Sequence, residues 1–247
     1  MKFPKIGSLF EKHIGGLFHR GIRNELTPDD VELALGEELK KSRRKLSRGA
    51  LLPNSFEVSL CVDDYHRLSS RRFIEEINMF IEREVILSDS FMDGPLDVKL
   101  SESFDMTEGE CDVSSCFEDE REEDEVDGAD GGTLVLARLG YEVPLNLPPA
   151  RKFVVMRVID GPDMDKTLEF GERKIYIGRR DKNELVLNDL NASRLHAYVE
   201  YERHRHVIYD ADSLNGTFVN GELVKSACLS DGDEVRLGST VIRYEVI

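Results

Sequence analysis

Apolar positions change their period several times along the chain. Between residues 6 and 20, Ile6, Leu9, Phe10, Ile14, Leu17 and Phe18 recur at spacings of three and four. That is the stripe of an amphipathic helix, weakened by Gly15 and Gly16. Thr27-Pro28-Asp29-Asp30 opens a second helix, with Thr as cap, Pro in the first turn and two acids facing the helix dipole. Val31, Leu33, Leu35, Leu39 and Leu46 carry its apolar positions to about residue 46. From Asn54 to Val62 the pattern alternates, with Phe56, Val58, Leu60 and Val62 on one face, which predicts a half-buried strand. Helical spacing returns over 69–87 (Phe73, Ile77, Phe80, Ile81), and Leu96 to Leu100 alternates again. An α+β domain is expected over 3–101.

From Lys152 onward short alternating runs replace the helices. They cover Phe153–Val158, Lys174–Ile177, Glu184–Leu187, His196–Tyr201, His206–Tyr209, Glu234–Leu237 and Val241–Val246. Turn residues divide them: Asp160-Gly161-Pro162, Asn215-Gly216, Asn220-Gly221 and Asp231-Gly232. Strands at this spacing predict an all-β domain over 151–247, an antiparallel β-sandwich.

Charge separates the two blocks. The formal net charge is −16, and residues 102–130 hold 14 acids against one Arg, leaving a net of −3 for the rest. Such a stretch cannot bury enough apolar surface to offset chain entropy, so a disordered acidic linker is expected over 102–150. Thr107 falls within it, an exposed threonine in an acidic context. Residues 133–150, less polar, read as an extended lead-in to the second domain. No apolar run reaches 18 residues, and the first residues lack the uninterrupted apolar stretch of a signal peptide. Four cysteines at spacings of 50, 5 and 112 suit neither a disulfide framework nor a CxxC zinc pair. A cytoplasmic protein with reduced thiols is expected, with no cofactor, no metal and no catalytic residues.

Within the β domain stand residues that a sandwich alone does not require: Gly178-Arg179, Ser193-Arg194-Leu195-His196, Asn215-Gly216-Thr217 and Asn220-Gly221. With their surroundings, IGRRDKNELVLNDLNASRLHAYVE, DADSLNGTFVNGELV and DGDEVRLG, they resemble the forkhead-associated (FHA) domain, a phosphothreonine-binding module. A phosphomonoester carries nearly two charges and three acceptor oxygens, so it calls for a fixed cation and neutral donors on rigidly held loops. The resemblance implies that Arg179 contacts the phosphate, while Ser193 supplies a hydroxyl and Arg194 a second cation or backbone donor. It implies that Asn215 bonds the ligand backbone and His196, an in-strand imidazole, braces the loops. Gly178, Gly216, Thr217 and Asn220 are expected as structural members of the motif. Leu214 stands where many such domains place Thr or Ser, which removes one donor; Arg180 can add long-range attraction.

The first block, LFEKHIGGLFHRGIRNELTPDDVELALGEELKK, LPNSFEVSLCVDDYHRLS and GPLDVKL, is similar to the N-terminal domain of FhaA-type bacterial proteins. In that family this domain precedes a linker and a C-terminal FHA domain. The resemblance implies a role beside Ser/Thr kinases, often in cell-wall synthesis and division. The partner implied is a phosphothreonine-containing kinase, pseudokinase or kinase substrate; the first domain's partner stays unassigned. The alternatives are a membrane-peripheral scaffold using helix 6–20, or a nucleic-acid-associated one using Lys40, Lys41, Arg43, Arg44, Lys45 and Arg48. Glu37 and Glu38 precede that cluster, cations suit a helix C-terminus and no aromatic residues interleave, so nucleic acid is not expected and membrane contact is at most peripheral. His204 and His206, at a hairpin tip, lack a third metal ligand and are expected as exposed loop groups.

Overall fold

The computed structural model describes residues 25–46, 49–118 and 151–247. The chain forms two compact units, one of residues up to 84 with 95–117, the other of 85–94 with the C-terminal part. The helix expected over 6–20 and the lead-in over 133–150 lie outside the described residues.

The N-terminal helix α1 (Pro28–Ser42) begins where the sequence puts it. Thr27 Oγ1 accepts from the Asp30 N–H at 3.3 Å, and Asp30 accepts in return from the Thr27 N–H at 3.1 Å. Val31, Leu35 and Leu39 are buried, whereas Leu33 faces outward. The helix stops at Ser42, short of the expected end, and Arg44–Lys45 instead forms β1, antiparallel to β2 (Ala50–Leu52).

β3 (Ser55–Cys61) buries Phe56, Val58 and Leu60, as its alternation requires. It ends one residue before the expected Val62, because the Cys61 thiol caps a helix that the pattern hid, α2 (Val62–Leu68), by accepting from the Asp64 N–H. α3 (Arg71–Leu87) buries Phe73, Ile77 and Ile81 and carries Arg71–Glu75 and Arg72–Glu76 pairs outside. A short strand β4 (Ser90–Met92) follows.

The acidic stretch departs from its expectation. Its first part is ordered: β5 (Asp97–Ser103) pairs parallel with β3, and β6 (Cys111–Cys116) pairs antiparallel on the other side. Thr107 therefore lies in the loop between these two strands. Of the acids there only Glu102 and Asp112 lie in these strands, while Asp105, Glu108 and Glu110 fall in the loop between them, and β6 gains a backbone ladder with β3 that a charge count does not register. The Ser115 hydroxyl also donates to Glu38 of α1 at 2.8 Å. The remainder of the expected linker, 119–150, lies outside the described residues.

The C-terminal part is a β-sandwich with two sheets. In chain order its strands are β7 (Val154–Asp160), β8 (Thr167–Phe170), β9 (Ile175–Gly178), β10 (Leu185–Val186), β11 (Ala197–Glu202) and β12 (Arg205–Asp210). Then come β13 (Thr217–Val219), β14 (Glu222–Val224), β15 (Ser226–Cys228), β16 (Glu234–Leu237) and β17 (Thr240–Val246). One sheet runs β10-β9-β11-β12-β15 and the other β14-β13-β16-β17-β7-β8, all antiparallel except β10 with β9. Inward residues of both sheets, among them Val154, Met156, Ile175, Ile177, Val199, Ile208, Val235, Leu237 and Ile242, form one core. Every strand expected from alternation is present; β8, β13, β14 and β15 are additional.

His206 is a correction. It is not an exposed loop group but fully buried, with Nδ1 facing the Tyr244 hydroxyl at 2.8 Å and Nε2 facing the Gly171 carbonyl at 2.9 Å. No group of three metal-ligating side chains occurs among the described residues.

Candidate functional site

At one end of the sandwich the loop after β9 meets the loops before β11 and β13. Gly178, at the end of β9, has φ +151°, and a Cβ there would lie 2.7 Å from the Ser193 carbonyl oxygen and 2.8 Å from the His196 nitrogen. Only glycine lets the strand end run this close to the 193–196 segment. The contact is sealed by backbone bonds: Arg179 N–H donates to Ser193 C=O at 2.9 Å and Arg180 N–H to Arg194 C=O at 3.0 Å. Asn183 Nδ2 also donates to the Arg194 carbonyl, at 2.9 Å. Two short segments carrying three guanidinium groups are thus tied face to face.

His196 sits one residue before β11, in the loop rather than in the strand, and is completely buried. Its Nδ1 accepts from the Ser193 N–H at 3.1 Å. The proton is therefore on Nε2, which donates to the Gly216 carbonyl at 3.1 Å. Burial holds its pKa below the ordinary imidazole value, in keeping with this neutral form. The imidazole thereby joins the 193 loop to the 216 loop.

Two buried carboxylates anchor the same loops. Asp189 accepts from the backbone N–H of Asn191, Ser239 and Thr240, and from the hydroxyls of Ser239 and Thr240. Asp210 accepts from the hydroxyls of Ser213 and Thr217 and from Lys225. Burial disfavours both charges, yet these donors hold both carboxyls below the usual range. Neither residue was singled out from the sequence: the Ser239 and Thr240 donors of Asp189 come from a distant turn, and Asp210 is held chiefly within its own loop by Ser213 and Thr217.

Between the anchored loops opens a cleft of about 440 Å³, lined by Arg179, Arg180, Ser193, Arg194, Leu214 and Asn215 among others. Ser193 Oγ accepts from the Leu214 N–H at 3.1 Å and keeps its own hydroxyl proton for a further partner. Asn215 Nδ2 donates to the Asn191 carbonyl at 2.7 Å. Leu214 projects at the rim, 89% exposed. The four residues picked for ligand contact are all brought together here. Gly178, His196 and Gly216 support the cleft from behind. Thr217 is buried at the start of β13, outside the lining. Asn220 closes the β13–β14 hairpin with Gly221, both at positive φ, and its side chain ties that turn to Asp233 and Glu234. Arg180, Leu190, Asn191, Ala192 and Leu195 line the cleft without having been assigned to it by the motif.

Residues 3–114 match the family model described as FhaA, N-terminal domain, and residues 175–238 match the FHA domain model. Among curated relatives, the glycogen accumulation regulator GarA of Mycobacterium tuberculosis is 36% identical over 92 residues, 37% of this chain and 56% of GarA. The oxoglutarate dehydrogenase inhibitor of Corynebacterium jeikeium is 32% identical over 92 residues, 37% of this chain and 62% of that protein. The chain thus spans only about three fifths of the length of these relatives. A crystal structure of the FhaA FHA domain complexed with the intracellular domain of Rv3910 is 32% identical, with 37% of this chain and 99% of that one covered and a TM-score of 0.35.

Proposed function

The chain is an FhaA-type protein, an FhaA N-terminal domain followed by a C-terminal FHA domain, and we propose that it is a phosphothreonine-dependent adaptor in bacterial Ser/Thr kinase signalling. The observation that carries this reading is the cleft itself. Three cationic side chains and a hydroxyl, on loops locked by His196, face one concave surface with no acidic residue in its lining. In this reading Arg179 forks onto the phosphate oxygens, Arg194 supplies the second charge and Ser193 donates its hydroxyl. Asn215, held by Asn191, aligns the peptide backbone. The activity is capture of a partner, not chemistry on it.

The partner is a phosphothreonine-bearing kinase, pseudokinase or kinase substrate. The FhaA FHA domain structure holds an intracellular domain as its ligand, which supports a protein partner here. A cytoplasmic setting and a role in cell-wall synthesis or division complete the proposal; they rest on the kinship with FhaA-type proteins. The test is calorimetric titration of the full chain with one peptide in phosphothreonine, phosphoserine and unmodified forms. Binding in that order of strength supports the reading, and equal binding of the phosphorylated and unmodified peptides defeats it.

A further inference from the structure

Resting on that reading, we infer that the ligand carries a second anionic group beside the phosphothreonine, and that Arg180 is the residue that reads it. The argument begins from charge. Three guanidinium groups line the cleft, at Arg179, Arg180 and Arg194, and no carboxylate does. Elsewhere on this domain several exposed cations rest against acids: Lys152 on Glu169, Arg157 on Glu245, Lys174 on Glu200 and Arg243 on Glu234. Arg173 and Lys182 stand singly in solvent rather than clustered in a concave site. The three cleft arginines make no ion pair among the described residues, and the nearby carboxylate of Asp189 is taken up by donors from Ser239 and Thr240 in the β16–β17 turn. A phosphomonoester brings a charge of about −1.5 to −2. Arg179 and Arg194 balance it, which leaves one positive charge in a concave site that excludes part of the solvent.

Geometry places that surplus. The Arg180 N–H is bonded to the Arg194 carbonyl, so the root of its side chain is fixed at the cleft wall next to Arg179. Its position one residue further along the loop displaces its reach from the phosphate toward the neighbouring part of a bound peptide. A guanidinium held there suits planar, two-point pairing with a phosphate or a carboxylate one or two residues from the phosphothreonine. Both sources share one chemistry, a fixed anion adjoining the first. Among the described residues the Arg180 side chain is engaged in no hydrogen bond or ion pair, which leaves the guanidinium available to a ligand.

The test uses the full chain and one peptide sequence in three forms: phosphothreonine with alanine neighbours, with a neighbouring glutamate, and with a neighbouring second phosphothreonine. The second group is scanned one and two residues to either side. At the favoured position wild type is expected to bind the doubly phosphorylated form about 10-fold more tightly than the singly phosphorylated one, with glutamate in between. Arg180→Ala should reduce that ratio to about 2, whereas Lys182→Ala, which removes the same charge outside the lining, should preserve it. A wild-type ratio near one at every position overturns the inference. So does an equal drop in Lys182→Ala, which would mark the effect as long-range attraction only. Failure of the singly phosphorylated peptide to bind at all is a different result: it removes the phosphothreonine reading on which the inference stands.

Discussion

Replacing His196 by alanine tests whether the cleft is held from behind by a buried imidazole. The substitution leaves the Ser193 N–H and the Gly216 carbonyl without their present partners. An unpaired buried polar group costs about 1–3 kcal/mol, and the small void adds to this, so a loss of about 2–4 kcal/mol is expected for the domain. For a domain of this size that lowers Tm by roughly 10–20 °C. The chain has no Trp, and five of its seven tyrosines lie in 151–247, so tyrosine fluorescence reports mainly on this domain. Binding should suffer as well. With the two loops uncoupled, the competent arrangement is only part of the folded population, and phosphopeptide affinity should fall about 10-fold even well below Tm. His196→Gln, which can keep one acceptor and one donor, should lie between. The pH dependence has a definite sign. The folded imidazole titrates below the ordinary value near 6.5, so the unfolded chain takes up the proton first as pH falls. The stability is therefore fully present above about pH 6.5 and declines below it, and this decline should vanish in His196→Ala. A melt within about 2 °C of wild type together with unchanged affinity would refute the brace.

Other consequences are sharper in single measurements. Gly178→Ala forces a Cβ to within 2.7 Å of the Ser193 carbonyl, so it should destabilise the domain by several kcal/mol, about 2–4, in a urea titration. Asp189→Ala strips the acceptor from five donors and should lower stability by about 3–5 kcal/mol with a matching loss of phosphopeptide binding. Acid melts should show further loss below about pH 4, because Asp189 and Asp210 are held under the usual carboxylate value and their stabilisation disappears as pH falls through their folded pKa values. A thiol reagent at pH 8 should modify the exposed Cys116 first and Cys228 more slowly, since burial raises the Cys228 thiol, and should spare Cys61 and Cys111, whose pKa burial pushes up to about 12 in the latter case. Rapid reaction of all four thiols in folded protein would contradict the described β3–β6 pairing.

The sandwich was legible because its strands alternate and its turns carry Gly and Asn, two signals that act over a few residues. The cleft was legible because its contacts repeat a short motif, with Arg179, Ser193, Arg194 and Asn215 at its wall. What stayed hidden depends on distant partners. Asp189 is an anchor only because Ser239 and Thr240 arrive from fifty residues away. β6 lies in a stretch whose charge suggests an unfolded chain, and its order comes from pairing with β3. α2 has no Ser, Thr, Asp or Asn at its cap, since Cys61 takes that place. His206 sits in a run of polar letters, and its burial is set by Tyr244 and Gly171, neither of which is near it in sequence.

The most direct test of the central claim is a titration of the full chain and of Arg179→Ala with the same phosphothreonine peptide, with melts confirming that both stay folded. Removing the guanidinium fork from a bound phosphate should cost about 2–4 kcal/mol, or roughly 30- to 1000-fold in affinity. Ser193→Ala, which removes one neutral donor, should lose about 1–2 kcal/mol in the same assay. Equal affinity of wild type and folded Arg179→Ala for the phosphopeptide would contradict the reading of this cleft as a phosphothreonine site.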